Sequence, residues 1–201
     1  MTVTATAPLQ LAVLVSGGGR SLENLAEEIA SGSLDARVAL VVANKAGIGA
    51  LERCERLGIP ALVVDAERAL VPTDFSAAVF GAVEDAGCEL VVLAGFLRFL
   101  PIPERWIGRV INMHPSLLPA FGGKGFYGDR VHAAVLERGV QFTGCTVHYV
   151  DNEYDHGPIL LQRCIAVSPE DDVHSLAARV FEEEKLALPE AIRRHAARAR
   201  N

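Results

Sequence analysis

Short apolar runs alternate with longer amphipathic stretches through the first half of the chain. Leu11–Val15, 37–43, 61–64 and Leu90–Leu93 are β-branched or leucine-rich, the composition of buried parallel strands. Between them, 21–30, 48–57 and 74–86 repeat their apolar positions at helical spacing. Gly58 and Gly87 fall where helix C-caps are expected, each just ahead of the next strand. Strand and helix in this rhythm predict an α/β fold, a doubly wound and mostly parallel sheet with right-handed crossovers. Ligands of such sheets bind beyond the carboxyl ends of the strands. Those ends are Ser16–Gly19, Asn44, Asp65 and Ala94–Phe96.

The second half changes character. A short strand, 110–113, runs into His114-Pro115 and then a loop rich in Gly and Pro up to Gly128. A helix is expected over 130–138, and 143–151 alternates with period two. Ile159–Val167 is a second extended run, so the turn 152–158 predicts a β-hairpin added to the sheet. The amphipathic stretch 171–195 supplies a closing helix, with Pro189 positioned to kink it. No internal repeat or linker interrupts the pattern. We therefore read residues 1–201 as a single domain: a flexible tail over 1–8, a phosphate-binding half over 9–95 and a catalytic half over 96–201.

Composition narrows the function. A length of 201 residues suits one full hydrophobic core. The net charge of −6 argues against nucleic acid as a partner, because phosphate backbones need a basic face. The basic run 193–200 reads as a solvated helix end. Cys54, Cys88, Cys145 and Cys164 show no ligand spacing and read as small buried residues in a reducing compartment. Residues 1–8 have neither the basic start nor the apolar stretch of a secretion signal, and no run is long enough for a membrane span. The expectation is a cytoplasmic protein, monomer or homodimer, working on small molecules.

Three segments carry chemistry. Ser16-Gly17-Gly18-Gly19-Arg20-Ser21 joins the first strand to the first helix, where backbone N–H groups and the helix dipole favour an anion. It lacks both the dinucleotide fingerprint and the Gly-Lys-Ser/Thr of a nucleotide loop, so a monophosphate fits better. A merely tight turn is the alternative. In Asn112-Met113-His114-Pro115, alternation puts the amide and the imidazole on one face of a strand end. Such a pair can hold an oxyanion and exchange a proton, although a structural histidine would read the same way. Asp155 lies at the hairpin tip in DNEYDHGP, where a solvated turn is the plain reading. If folding brings it to His114, the carboxylate should raise the imidazole pKa. His114, His148 and His156 lack the spacing of a metal site, and His148 falls in mid-strand, so no metal is expected.

Taken together, SGGGRSLENL, VVLAGFLRFL, INMHPSLLPAF, TGCTVHYVD and EYDHGPILLQ resemble the glycinamide ribonucleotide formyltransferases, over about Leu11 to Ala191. The resemblance implies a Rossmann-like formyltransferase fold. It also implies transfer of the formyl group of 10-formyltetrahydrofolate, a consumed co-substrate, to the amine of 5-phosphoribosylglycinamide in purine biosynthesis. By resemblance, Asn112, His114 and Asp155 are the catalytic trio. Gly18, Gly19, Arg20 and Ser21 cradle the ribosyl phosphate, and Glu184 touches the glycinamide. Leu97, Arg98, Phe99 and Leu100 line the folate pocket together with Asn112, Asp151, Asn152, Glu153, Tyr154 and Asp155. The chain departs from the family at Val71–Phe75, which has no Arg, and at Arg20, where a small hydroxyl residue is common. Competing readings are another folate-dependent formyltransferase, a formyl-folate hydrolase and a non-catalytic sensor of a phosphate ligand.

Overall fold

The computed structural model describes residues 7–65 and 71–199. Most of the expected tail lies outside the described residues. Strands β1 (Leu9–Val15), β2 (Ala36–Ala43), β3 (Ala61–Val63), β4 (Leu90–Leu93), β5 (Val110–His114), β6 (Phe142–Tyr149) and β7 (Ile159–Ala166) form one sheet in the order β3-β2-β1-β4-β5-β6-β7. The first five run parallel, while β6 and β7 pair antiparallel as a hairpin on the β5 side. The helices are α1 (Arg20–Ala30), α2 (Gly49–Leu57), α3 (Pro72–Asp85), α4 (Asp129–Arg138) and α5 (Val173–Ala199).

Alternation along the strands builds two cores. Leu11, Val13 and Val15 of β1, with Leu90 and Val92 of β4, face a cluster shared with α1, α2, α4 and α5. Ala12, Leu14, Val91 and Leu93 face the other way, onto Phe75, Val79, Phe80 and Val83 of α3 and onto Trp106. On that second face Phe80 and Trp106 pack with ring centroids 5.4 Å apart. The Trp106 indole N–H donates to Glu84 at 2.8 Å, so its polar edge is not orphaned by burial.

Two details differ from expectation. All three residues of β3 are exposed, because it is an edge strand and not a buried one. Cys164 is exposed on β7, whereas the other three cysteines are buried. Pro189 lies inside α5, which continues past it to Ala199. Gly58 does cap α2 in the left-handed conformation, at φ 66°.

The placement of the site follows from β5. Val110 belongs to the α3 core and Ile111 and Met113 to the opposite one, so Asn112 and His114 share Val110's parity. In β6, Cys145 and Val147 belong to the first core, which sets Thr146 and His148 on the same side as Asn112 and His114. The β5–β6 register pairs Asn112 with His148 and His114 with Thr146.

Candidate active site

A cleft of about 620 Å³ opens over the carboxyl ends of β1, β4 and β5. Residues 17–21 form one wall, 93–100 and the hairpin tip another, and α4 and α5 close it. Gly19 occupies the N-cap of α1 at φ 78°, and no side chain caps that end. The first backbone N–H of α1 paired within the helix is that of Glu23, on the Gly19 carbonyl at 3.1 Å. The preceding N–H groups are those a helix start leaves for an outside acceptor. The loop is held from behind. The Ala50 N–H donates to the Gly17 carbonyl at 3.1 Å, and Arg53 Nε donates to the Gly18 carbonyl at 2.7 Å. Ser16 Oγ accepts from the Leu97 N–H at 2.9 Å, tying this wall to the facing one.

Gly19 is constrained by packing as well as by conformation. A Cβ there would meet Ala50 Cβ at 2.8 Å, whereas one at Gly17 or Gly18 would meet nothing within 4 Å. Positions 17 and 18 are therefore the open, exposed face of the turn, and half-buried Gly19 is the position packed against α2.

At the cleft's base the structure brings together Asn112, His114 and Asp155. Asp155 Oδ1 is 3.4 Å from His114 Nδ1 and 3.4 Å from Asn112 Nδ2, and Oδ2 accepts the Gly123 N–H at 2.8 Å. Asp155 holds φ 52°, a conformation that aspartate tolerates better than most side chains and that aims the carboxylate inward. Gly157 permits the turn that follows, because a Cβ there would overlap the Tyr149 carbonyl oxygen at 1.9 Å.

Sequence reading missed His148. Its Nδ1 lies 2.9 Å from the Tyr149 carbonyl, which can only accept, so that nitrogen carries the proton. Nε2 is then the acceptor for the Asn112 amide at 3.1 Å. The Asn112 carboxamide is thus oriented nitrogen-first by His148 and Asp155. The available signal was the period-two alternation that gives Thr146 and His148 one face.

The protonation of His114 departs from expectation. Its Nε2 faces the Phe121 carbonyl at 2.9 Å, so Nε2 donates and Nδ1 is the nitrogen that gains or loses a proton. Burial lowers its pKa below the ordinary 6.5; Asp155 and the Phe121 carbonyl pull upward without winning, and His148 adds to the lowering. The carboxylate raises the imidazole as expected, but a ring that is 3% exposed loses more by desolvation. Burial also works to raise Asp155, yet the nearby imidazoles of His148 and His114, once charged at acid pH, and the Gly123 N–H hold it below its ordinary 3.8. At neutral pH the free cleft holds a neutral imidazole beside a carboxylate.

Of the remaining expected residues, all but one line the cleft. Gly18, Gly19, Arg20, Ser21 and Glu184 all line the cleft. The Arg20 guanidinium lies 4.2 Å from the centroid of the Phe181 ring. The Glu184 carboxyl is pushed up to about 7 by burial, which Arg20 opposes. Leu97, Arg98, Phe99, Leu100, Asp151, Glu153, Tyr154 and Asp155 also line it, with Phe99 and Tyr154 packed at a centroid distance of 5.1 Å. Asn152 does not. Its side chain brackets the Ile102 backbone, accepting from N–H at 2.8 Å and donating to the carbonyl at 3.3 Å, and so anchors the tip. His132, from α4, lines the cleft unforeseen.

The formyl transferase family profile matches residues 9–192. A curated relative, the trifunctional purine biosynthetic protein adenosine-3 of Gallus gallus, is 42% identical over 189 residues, covering 93% of this chain and 18% of its own length. The chloroplastic phosphoribosylglycinamide formyltransferase of Arabidopsis thaliana is 39% identical over 190 residues, covering 91% of this chain and 64% of its own length. This chain thus spans less than two thirds of either relative. Among solved structures, glycinamide ribonucleotide transformylase 1 of Symbiobacterium toebii superposes with a TM-score of 0.88 at 36% identity, covering 96% of this chain and 90% of that one. The fold thus recurs in a protein related by sequence, and this chain belongs to the formyl transferase family.

Proposed function

We propose that this protein transfers the formyl group of 10-formyltetrahydrofolate to the primary amine of 5-phosphoribosylglycinamide, in purine biosynthesis and in the cytoplasm. One observation carries the reading. A single cleft joins an uncapped helix start to an amide and an imidazole that each lie 3.4 Å from one carboxylate oxygen. A phosphate-binding module has a use for the first but not for the second. The names of the related proteins support the same reading.

The acceptor's phosphate sits on the N–H groups of residues 18–21, with Arg20 adding charge, and Glu184 takes the glycinamide end. Two backbone walls, 97–100 and 151–155, receive the planar ring of the formyl donor, with the aromatic pair Phe99–Tyr154 beside it. The amine nitrogen bonds to the formyl carbon, whose carbonyl oxygen becomes an oxyanion. An Asn112 N–H meets that oxygen, in place of its long 3.4 Å contact to Asp155.

His114 begins neutral. It takes the proton released by the amine on Nδ1, where Asp155 stabilises the resulting imidazolium, and that charge also favours the oxyanion. The carbon–N10 bond then breaks, N10 receives the proton, and the acceptor leaves as its formamide. Protein and proton balance return to the start.

The test is to incubate protein, formyl donor and acceptor, and to follow deformylation by absorbance and the formamide by mass spectrometry. Transfer that requires the acceptor supports the reading. Loss of formyl to water in its absence would make the protein a hydrolase, and binding without turnover would make it a sensor.

A further inference from the structure

Two peptide planes of the glycine turn are fixed from α2. The Ala50 N–H, one of the donors a helix start leaves unpaired, donates to the Gly17 carbonyl at 3.1 Å. Arg53 Nε donates to the Gly18 carbonyl at 2.7 Å, a short charge-assisted bond. In a trans peptide the carbonyl and the next residue's N–H point to opposite sides. Holding both carbonyls toward α2 therefore turns the N–H groups of Gly18 and Gly19 the other way. Neither N–H meets an acceptor among the described residues. Both glycines line the cleft, whereas Ala50 and Arg53 do not.

The Ala50 contact is made by backbone, but the Arg53 contact depends on one side chain. Its stem lies beneath Gly19, where an added Cβ would find Arg53 Cδ at 3.5 Å. Its Nη1 is paired with Glu23 of α1, whose other carboxylate oxygen takes Arg56. The guanidinium is thus held at one edge by the turn and at its tip by α1. A cation on the Gly18 carbonyl also polarises that peptide and makes the Gly19 N–H a stronger donor. The Arg53–Glu23 side chains are 30% and 26% exposed, so the pair adds little to stability. Its effect lies in where it puts the guanidinium.

We propose that Arg53, braced by Glu23, is a positioning residue for the acceptor's phosphate, setting the direction and donor strength of the Gly19 N–H without touching the ligand. The proposal rests on the function proposed above. It goes further by assigning part of the phosphate affinity to a side chain outside the cleft.

Substitutions at both ends of the brace test it. Arg53→Met keeps the length of the stem and removes every donor. Arg53→Gln restores an N–H at the position of Nε but carries neither the charge nor the reach to Glu23. The KM for 5-phosphoribosylglycinamide should rise about 10-fold or more in Arg53→Met, and Arg53→Gln should recover part of that loss. The donor KM should stay within about twofold in both. The unphosphorylated riboside of glycinamide is the control acceptor. Its kcat/KM should agree within about twofold between wild type and Arg53→Met, which a merely structural role would not produce. In the wild type, the backbone amide resonance of Gly19 should move when inorganic phosphate is added, and at the same concentration it should move less in Arg53→Met. An unchanged acceptor KM in a folded Arg53→Met protein overturns the proposal, as do equal losses on the phosphorylated and unphosphorylated acceptors. If the Met variant fails to fold, Glu23→Gln decides. It leaves Arg53 in place but unbraced and should raise the same KM about threefold, whereas an unchanged value overturns the proposal. A wild type whose Gly19 amide answers phosphate but which transfers no formyl group would remove the reaction and leave the brace standing. A Gly19 amide unmoved by saturating phosphate would remove the brace itself.

Discussion

Asp155 Oδ1 stands 3.4 Å from His114 Nδ1, with the opposite edge of the imidazole pinned to the Phe121 carbonyl. The proton that comes and goes is therefore the one between ring and carboxylate. Asp155→Asn should remove the attraction that partly offsets burial, so the His114 titration should move to still lower pH. Turnover should drop about 10²-fold or more, the usual loss with a proton-transfer partner. Asparagine also tolerates the positive φ at this position, so the fold should survive. NMR titration of the His114 ring in both proteins checks the first point; an unmoved titration would leave Asp155 as a turn residue only.

The glycine turn separates into two roles that mutagenesis can distinguish. Gly18→Val adds a side chain toward open space and should raise the acceptor KM about 10-fold or more, leaving the thermal midpoint nearly unchanged. Gly19→Val drives a branched Cβ into Ala50 at a positive φ and should cost about 1–3 kcal/mol of stability. Denaturant melts and acceptor kinetics on the two proteins would expose an error if the effects came out reversed.

His148 orients Asn112 without a place in the expected trio. His148→Phe preserves bulk in β6 and removes the acceptor of the Asn112 amide at 3.1 Å. Freed to rotate, the amide should serve the oxyanion less well. We expect kcat to fall roughly 10-fold or more with the acceptor KM unchanged, the signature of an interaction made chiefly in the transition state. A change confined to KM would assign His148 to substrate binding instead.

Glu184 is held near 7 by burial, against an ordinary 4.5. A raised folded pKa means the folded state keeps its proton longer than the unfolded chain does. The associated stability is present below about 4.5 and lost as pH rises through about 7. Glu184→Gln lacks this loss. It should match the wild type at pH 4.5 and exceed it at pH 8 by on the order of 2 kcal/mol, less where the cleft admits water. Chemical denaturation at both pH values reads the difference. An identical gap at the two would place the carboxyl in free solvent.

The elements were legible in the sequence because strand and helix periods are local properties. The first four strands, the hairpin and the closing helix fall within a few residues of their expected limits. The glycine turn and the Asn-x-His-Pro string were legible for the same reason, each lying at one strand end. Proximity across the fold was not. His148 reads as a mid-strand residue until the β5–β6 register sets it opposite Asn112, and His132 reads as one polar position on a helix until α4 closes over the cleft. The need for glycine at position 19 comes from Ala50, a neighbour only in three dimensions. The protonation of His114 was decided in the same way. Charge pairing can be guessed from residue types, but desolvation depends on everything packed around the ring, and here it is the larger effect. Sequence determined which groups this protein has available for chemistry; tertiary packing decided which of them meet, and in what protonation state.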